Sequence, residues 1–215
     1  MYSIIDFIPP LLSGLVVTLE ILIYSAFLGL ALSFILGFMK LSKWIVIRII
    51  SNFYIEVFRG TSLLIQLFWL YFALPIMGIE LSAMTAGVLA LGLNMGAYGA
   101  EVVRSSIQSV PKGQTEATIA LNMTPIKRMR RVILPQAILL IIPTFGNLMI
   151  ELLKGTSLVS LITLSDLTFQ AMSLRNSTMQ STELFTLLLI FYFIIAYPIT
   201  FSFRKLEKKL SAGRV

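Results

Sequence analysis

Three pairs of oppositely charged residues stand three positions apart, within or beside long apolar segments of the chain. They are Glu56 with Arg59, Glu101 with Arg104, and Glu151 with Lys154. Partners at this spacing meet on one face of a helix, and an ionisable group at membrane depth is costly unless it is paired or faces water. We interpret the first two pairs as structural ion pairs, and the third as part of a candidate path for a polar solute.

The residues Glu151 and Lys154 belong to a polar stripe on the fourth apolar segment. At about 100° per residue Asn147 falls in the same narrow sector, and Pro143 and Gly146 beside it would loosen the helix. An ammonium or guanidinium group passing this point would gain a charge-assisted hydrogen bond from Glu151. The alternatives are that Glu151 only neutralises Lys154, or that Lys154 extends outward to the membrane surface.

A second polar stripe, Asn94, Tyr98 and Glu101, lies on the third apolar segment. Two polar stripes on neighbouring helices could line a water-filled path. Polar residues in membrane helices also often serve only to hydrogen-bond neighbouring helices, and both interpretations stay open. The residues predicted to line the path are Asn94, Tyr98, Asn147, Glu151 and Lys154.

The residue types that are missing exclude several kinds of chemistry. The 215 residues include no Cys and no His, which removes disulfides, thiol nucleophiles, His general bases and the commonest zinc ligands. No G-x-x-x-x-G-K-[ST] sequence occurs either, so the chain has no P-loop to hold ATP phosphates. We therefore expect no metal and no cofactor in this chain. A membrane-embedded enzyme would need a Ser-Lys or carboxylate pair, for which Glu151 with Lys154 on one helix is a poor candidate, so we expect a chain that is not an enzyme.

Composition predicts an all-α integral membrane protein. Hydrophobic residues make up 57% of the chain and charged residues only 13%, which is too little polar surface for a soluble globule. A spanning helix needs about 20 mainly apolar residues, and five segments qualify, at about 10–39, 49–79, 81–106, 132–153 and 184–203. Residues 156–182 predict a re-entrant or interfacial pair of short helices buried in protein.

Small residues recur at every fourth position on the first and third segments. They are Ser25, Gly29, Ser33 and Gly37 on the first, and Gly92, Gly96 and Ala100 on the third. This pattern is typical of faces where two membrane helices approach closely. The two faces could pack within one subunit or across a dimer, and we predict packing within one subunit.

The basic residues predict the orientation in the membrane. Thirteen of the seventeen Lys and Arg residues follow the first, third or fifth span. By the positive-inside rule that side is cytoplasmic, so the N-terminus is outside and the C-terminus is inside. The net charge of +7 is then a topological signal, and it does not indicate nucleic-acid binding.

The cytoplasmic loop at residues 107–131 is polar and strongly basic. A helical pattern from Gln114 to Leu121 places Glu116 in a first turn, where the helix dipole favours an anion. Asn122 suits a left-handed turn before a second short helix. Lys127, Arg128, Arg130 and Arg131 then precede the fourth span directly.

This loop resembles that of permease subunits of ABC-type importers. Their pattern is E-A-A, three residues, G, nine residues, I, one residue, L-P. The chain has the same register, with Thr118, Asn122 and Val132 as the three departures, in Glu116-Ala117-Thr118, Asn122, Val132 and Leu134-Pro135. The chain also resembles the polar amino acid subfamily of these permeases in four further segments, Tyr54–Thr61, Asn94–Tyr98, Ser109–Gln114 and Lys154–Leu158.

The resemblance implies a type I ABC importer permease fold, formed by residues 1–215 as one transmembrane domain. The loop would then contain the coupling helix that binds a cleft of a separate ATPase, which would hold the ATP and Mg. Residues predicted to couple to the ATPase are Gly113, Glu116, Ala117, Thr118, Asn122 and Pro135.

Further partners follow from the same resemblance. They are two ATPase subunits, a second permease in a homodimer or heterodimer, and an extracytoplasmic solute-binding protein at a bacterial inner membrane. The implied substrate is a polar amino acid, and residues 151–175 resemble permeases for the osmolyte ectoine. The alternative is a stand-alone secondary transporter or channel that uses Glu56, Glu101 or Glu151 as an ion site.

Overall fold

The computed structural model describes residues 4–211, and every regular element in that range is helical. The all-α prediction is therefore confirmed. The helices are α1 (Ile4–Lys40), α2 (Ile45–Gly60), α3 (Leu63–Phe68), α4 (Ala83–Gln108), α5 (Lys112–Ala120), α6 (Pro125–Arg128), α7 (Leu134–Gly155), α8 (Leu167–Thr178) and α9 (Ser181–Ser211). Two π-helical turns, Trp69–Ala73 and Met129–Ile133, and two 3₁₀ helices, Leu74–Met77 and Thr156–Ile162, join some of them.

Four helical stretches are long and apolar enough to cross a membrane. They are Asp6–Lys40, Ala83–Gln108, Pro125–Ile162 and Ser181–Ser211. A fifth crossing exists only if α2 and the stretch Leu63–Met77 count as one span, and these two parts are bent by 103°. The segment predicted as one span over residues 49–79 is therefore not one continuous helix, because Thr61 and Ser62 have extended backbone, with ψ of 153° and 134°, which ends α2 at Gly60.

The core of the fold is the close contact between α1 and α4. A Cβ atom added to Gly29 would lie 2.8 Å from the Met95 sulfur, and one added to Gly96 would lie 2.7 Å from Leu32 Cβ. Each helix therefore presents small residues to large residues of the other. The faces predicted from the four-residue spacing do pack against each other, and they do so within one chain.

The chain between α7 and α9 forms two short helices, as predicted. The 3₁₀ helix buries Thr156, Val159, Ser160 and Ile162, and α8 buries Leu167, Thr168 and Ala171. The 3₁₀ helix ends at Thr163, which has a left-handed backbone with φ of 64°. This pair packs against the rest of the chain on one side only, since Met172, Ser173, Arg175 and Asn176 of α8 are exposed.

The start of α8 is held by a buried carboxyl group. Asp166 caps the helix by accepting hydrogen bonds from the backbone N–H groups of Thr168 and Phe169, at 3.2 and 2.9 Å. The N–H of Leu167, the first residue of α8, donates to Thr18 Oγ1 of α1 at 3.0 Å. Burial raises the pKa of Asp166 to about 6, against the backbone hydrogen bonds that favour its charged form. The bond between Leu167 and Thr18 joins α8 to α1.

Replacing Gly96 with Ala tests the contact between α1 and α4. The new Cβ would lie 2.7 Å from Leu32 Cβ, so the helix axes must separate. We expect the free energy of unfolding to fall by about 1–3 kcal/mol, as measured by thermal unfolding of the purified protein in detergent. Gly60→Ala is the matched control, because a Cβ there has no atom within 4 Å. Equal stability of the two variants would contradict the packing.

Candidate functional site

A cavity of about 270 Å³ lies between α4 and α7, close to the start of α3. Its walls are mostly apolar. The side chains that line it are Leu63, Leu91, Asn94, Met95, Tyr98, Leu148, Glu151 and Leu152. Three of the five residues predicted to line a path, Asn94, Tyr98 and Glu151, therefore lie in one place, where they supply the polar groups.

Asn147 and Lys154 lie elsewhere. Asn147 lines a smaller cavity of about 170 Å³ between α7 and α9, together with Arg204 and Glu207. Lys154 is exposed, lines neither of these two cavities, and forms no ion pair with Glu151 in the described part of the chain. Asn147, Glu151 and Lys154 share a sector of α7 by their spacing, but they do not line one common cavity. Positions four apart still differ by about 40° around a helix, and α4 covers the Glu151 side of α7 while α9 covers the Asn147 side.

Pro143 and Gly146 do not break α7. The helix runs without interruption from Leu134 to Gly155. A Cβ on Gly146 would lie 3.1 Å from Phe203 Cβ, so this glycine allows α9 to approach. The irregular part of the fourth span is instead the π-helical turn at Met129–Ile133, next to the loop.

The bend between α2 and α3 is closed by the side chain of Gln66. Its Nε2 donates to the carbonyl oxygen of Phe58 at 2.9 Å and to Thr61 Oγ1 at 2.8 Å. Nδ2 of Asn94 donates to the same Phe58 oxygen at 3.1 Å and to Gln66 Oε1 at 3.2 Å. The last carbonyl groups of a helix have no partner within it, and here two side-chain amides supply the partners.

This network also determines what Asn94 offers to the cavity. The carbonyl oxygen of Phe58 can only accept a hydrogen bond, so the NH₂ group of Asn94 must face it. Both amide hydrogens are then engaged, by Phe58 and by Gln66. Asn94 has only its oxygen left for a ligand, and the Glu151 carboxylate adds two further acceptors. The polar part of the cavity therefore suits a group rich in hydrogen-bond donors.

Sequence reasoning did not identify Gln66 as a site residue. The only signal was a single amide side chain within the apolar run LLIQLFWLYFA. Nothing in that run predicts that the preceding carbonyl groups would need an external donor. The need arises from the bend, which the hydrophobic pattern does not show.

One of the two predicted structural ion pairs is formed. Glu101 is bound by Arg104 and also by Lys40 Nζ of α1, at 2.8 Å, so one carboxylate holds two cations and joins the ends of α1 and α4. The predicted pair of Glu56 with Arg59 is not formed in the described residues. Instead the Arg59 guanidinium lies 5.3 Å from the centre of the Tyr98 ring, a cation–π contact at the border of the cavity.

The loop after α4 forms two short helices, α5 and α6. Asn122 between them has a left-handed backbone with φ of 52°, as expected for the turn. Glu116 is not in the first turn, because α5 begins at Lys112, directly after Pro111, and so the helix-dipole argument for this residue fails. The predicted coupling residues differ in exposure: Gly113, Glu116, Ala117 and Asn122 are exposed, Pro135 is half-buried, and Thr118 is buried.

Residues 29–212 match the family model described as "binding-protein-dependent transport system inner membrane component". The chain belongs to this family. It is 51% identical to a probable amino-acid ABC transporter permease protein, y4tF, of Sinorhizobium fredii, covering 97% of this chain and 90% of the relative. It is 36% identical to the arginine transport system permease protein ArtQ of Bacillus subtilis, covering 96% of this chain and 94% of that relative.

Solved structures give the same fold. The crystal structure of an amino acid ABC transporter with histidines aligns with a TM-score of 0.90 at 36% identity, covering 97% of this chain and all of that one. The MetNI methionine ABC transporter in inward-facing conformations aligns at 0.80 with 20% identity, which supports the fold alone. The predicted type I ABC importer permease fold is confirmed, and the stand-alone secondary transporter or channel is not favoured.

Replacing Gln66 with Met tests the closure of the bend. Met keeps the length of the side chain but cannot donate to Phe58 or Thr61. We expect the free energy of unfolding to fall by about 1–3 kcal/mol, because polar groups that lose their partners are costly at membrane depth. Thermal unfolding in detergent measures this loss. Gln180→Met is the control, since the Gln180 side chain lies outside the bend; equal losses would contradict the role of Gln66.

Proposed function

We propose that this permease forms the membrane path of an ATP-driven importer for a polar amino acid in the bacterial inner membrane. The observation that carries the proposal is the cavity between α4 and α7, where Asn94 and Glu151 offer hydrogen-bond acceptors. The relatives named above support the substrate class, since y4tF is named as a probable amino-acid transporter permease and ArtQ as an arginine transport permease. The resemblance of residues 151–175 to ectoine permeases stays a prediction.

The cavity would bind the cationic end of a cationic or zwitterionic substrate. An ammonium or guanidinium group can donate to Glu151 and to the Asn94 oxygen at once, and such charge-assisted bonds are stronger than neutral ones. Leu91, Met95 and Leu148 form apolar walls beside these contacts, and Glu151 itself is exposed. Tyr98, whose ring centre lies 5.3 Å from the Arg59 guanidinium, would cover the ligand with its ring. Asn147 and Lys154 are left without a proposed substrate contact.

ATP would be hydrolysed by a partner chain that binds α5. The exposed surface of α5 and the turn at Asn122 support this role, together with the basic residues of α6. An ATPase dimer has two clefts, so two such loops are required, and we infer a homodimer or a heterodimer with a similar permease. An external solute-binding protein would deliver the substrate, and ATP and Mg would stay on the two ATPase subunits.

The ion pairs support the proposed orientation. Lys40 at the end of α1 contacts Glu101 near the end of α4, so these two ends lie at the same side of the membrane. The basic loop at residues 107–131 follows α4 on that side. An excess of Lys and Arg favours the cytoplasm, which leaves the start of α1 outside and the end of α9 inside.

Replacing Glu151 with Gln tests the cavity. Gln keeps the shape but loses the charge, so uptake of labelled arginine by the reconstituted importer with its binding protein should fall at least about tenfold. A charge-assisted hydrogen bond is worth roughly 1.5–3 kcal/mol, which corresponds to a change of about 10- to 150-fold. Stimulation of the ATPase and thermal stability should persist. Labelled glutamine, tested in parallel, covers a zwitterionic substrate.

Glu20→Gln is the matched control, because Glu20 is an exposed carboxylate within α1 that does not line the cavity. It should transport normally. If Glu151 only neutralised Lys154, the double variant Glu151→Gln with Lys154→Met would recover transport. Such recovery would remove Glu151 from the substrate path.

Replacing Glu116 with Lys tests the coupling role of α5. Glu116 is exposed, so the reversal of its charge should act at the ATPase surface and leave the permease fold intact. We expect solute-stimulated ATP hydrolysis in reconstituted vesicles to fall at least fivefold, with a smaller loss for Glu116→Gln, which only removes the charge. Unchanged ATP hydrolysis in a correctly assembled Glu116→Lys complex would argue against this contact.

A further inference from the structure

A second, larger space lies at the opposite end of α7 from Glu151. It is an open cleft of about 800 Å³ between the end of α4, the start of α5 and the first turns of α7. We call it the interfacial cleft. Its lining residues are Ser109, Val110, Pro111, Gln114, Arg131, Val132, Gln136, Leu139 and Leu140. The transport path proposed above does not use it.

The interfacial cleft is polar at one end and apolar at the other. Arg131 is the last charged residue before the apolar run of the fourth span, which places it at the level of lipid headgroups. Leu139 and Leu140 lie eight and nine positions further along the same helical stretch, or roughly 13 Å deeper at 1.5 Å per residue. The cleft therefore extends from the headgroup level into the hydrocarbon region.

The polar end offers hydrogen-bond donors that are not used elsewhere. Gln136 Nε2 donates to the Gln114 oxygen at 3.4 Å and to the Val132 carbonyl at 3.0 Å. Among the described residues, the NH₂ group of Gln114 has no acceptor. Arg131 is exposed and forms no ion pair within residues 4–211. An arginine and an amide NH₂ group next to each other suit an anion such as a phosphate group.

The surrounding charge points to the same ligand. Residues 107–131 contain five cations and one carboxylate, Glu116. That carboxylate does not line the cleft. A basic segment at the cytoplasmic surface attracts anionic lipids, and a freely soluble phosphate would leave the apolar end at Leu139 and Leu140 without a partner.

We propose that the interfacial cleft binds an anionic phospholipid. Its phosphate contacts Arg131 and Gln114, and one acyl chain lies along Val132, Leu139 and Leu140. Since Gln114 belongs to α5 and Arg131 directly precedes α7, the bound lipid joins the proposed coupling helix to the fourth span. Lipid binding itself does not depend on the proposed substrate or on coupling, so it can be tested separately from them.

The test uses the assembled transporter, purified with its partner chains, and native mass spectrometry with added phosphatidylglycerol or phosphatidylcholine. The wild type should retain phosphatidylglycerol at least fivefold more tightly than phosphatidylcholine. Arg131→Gln should lose most of that preference. Arg130→Gln is the matched control, because Arg130 is an exposed neighbouring cation outside the cleft, and its preference should change less than twofold.

Several results would overturn the proposal. Equal losses for the two arginine variants would show only diffuse attraction by the basic loop. Displacement of the lipid by millimolar inorganic phosphate would indicate a soluble anion, and binding to the isolated permease but not to the assembled transporter would show that a partner chain covers the cleft. The variant Leu139→Asn leaves the charge unchanged and should also weaken the binding of phosphatidylglycerol. Unchanged binding in this variant would exclude the acyl-chain contact.

Discussion

A break in a membrane helix can persist only if its backbone polar groups find partners within the protein. The bend between α2 and α3 meets this condition through one carbonyl oxygen, that of Phe58, which accepts from both Gln66 and Asn94. Because Asn94 belongs to α4, the bend and the wall of the cavity are parts of one hydrogen-bonded unit. A ligand that pulled on the Asn94 oxygen would act directly on the angle of the bend.

The close packing of α1 on α4 holds the other side of that unit. Gly92 and Gly96 stand two positions before and after Asn94, and they face Leu28 and Leu32 of α1. The small residues of α4 therefore pack against α1, while Asn94 points to the bend and Tyr98 lines the cavity. Lys40 and Glu101 join the same two helices at their ends. Dispersion contacts and one shared carboxylate thus orient the polar residues of α4.

Local patterns predicted local features well and distant features poorly. The four-residue spacing of Gly29 and Gly96 showed where two helices could approach, and Asn122 marked a left-handed turn. The bend at Thr61 was missed because a hydrophobicity pattern shows how apolar each side of a break is and does not show that the backbone changes direction there. Asn147 and Glu151 line different cavities, and the sequence did not show this because spacing along α7 does not say which neighbour covers each side. Arg59 contacts the Tyr98 ring and not Glu56. This contact joins two helices, so spacing along one helix could not indicate it.

The continuity of α7 gives the proposed coupling a mechanical basis. Gln136 contacts Gln114 of α5, and Glu151 lies fifteen positions further along the same unbroken helix, or roughly 22 Å away. A rigid helix of this length moves as one body, so a displacement of α5 would change the position of Glu151 relative to Asn94. The irregular part of this stretch is the π-helical turn at Met129–Ile133, on the loop side of Gln136. Bending there would let α7 tilt against α4 while the bend, which is tied to α4, stays in place, and the cavity between them would open or close.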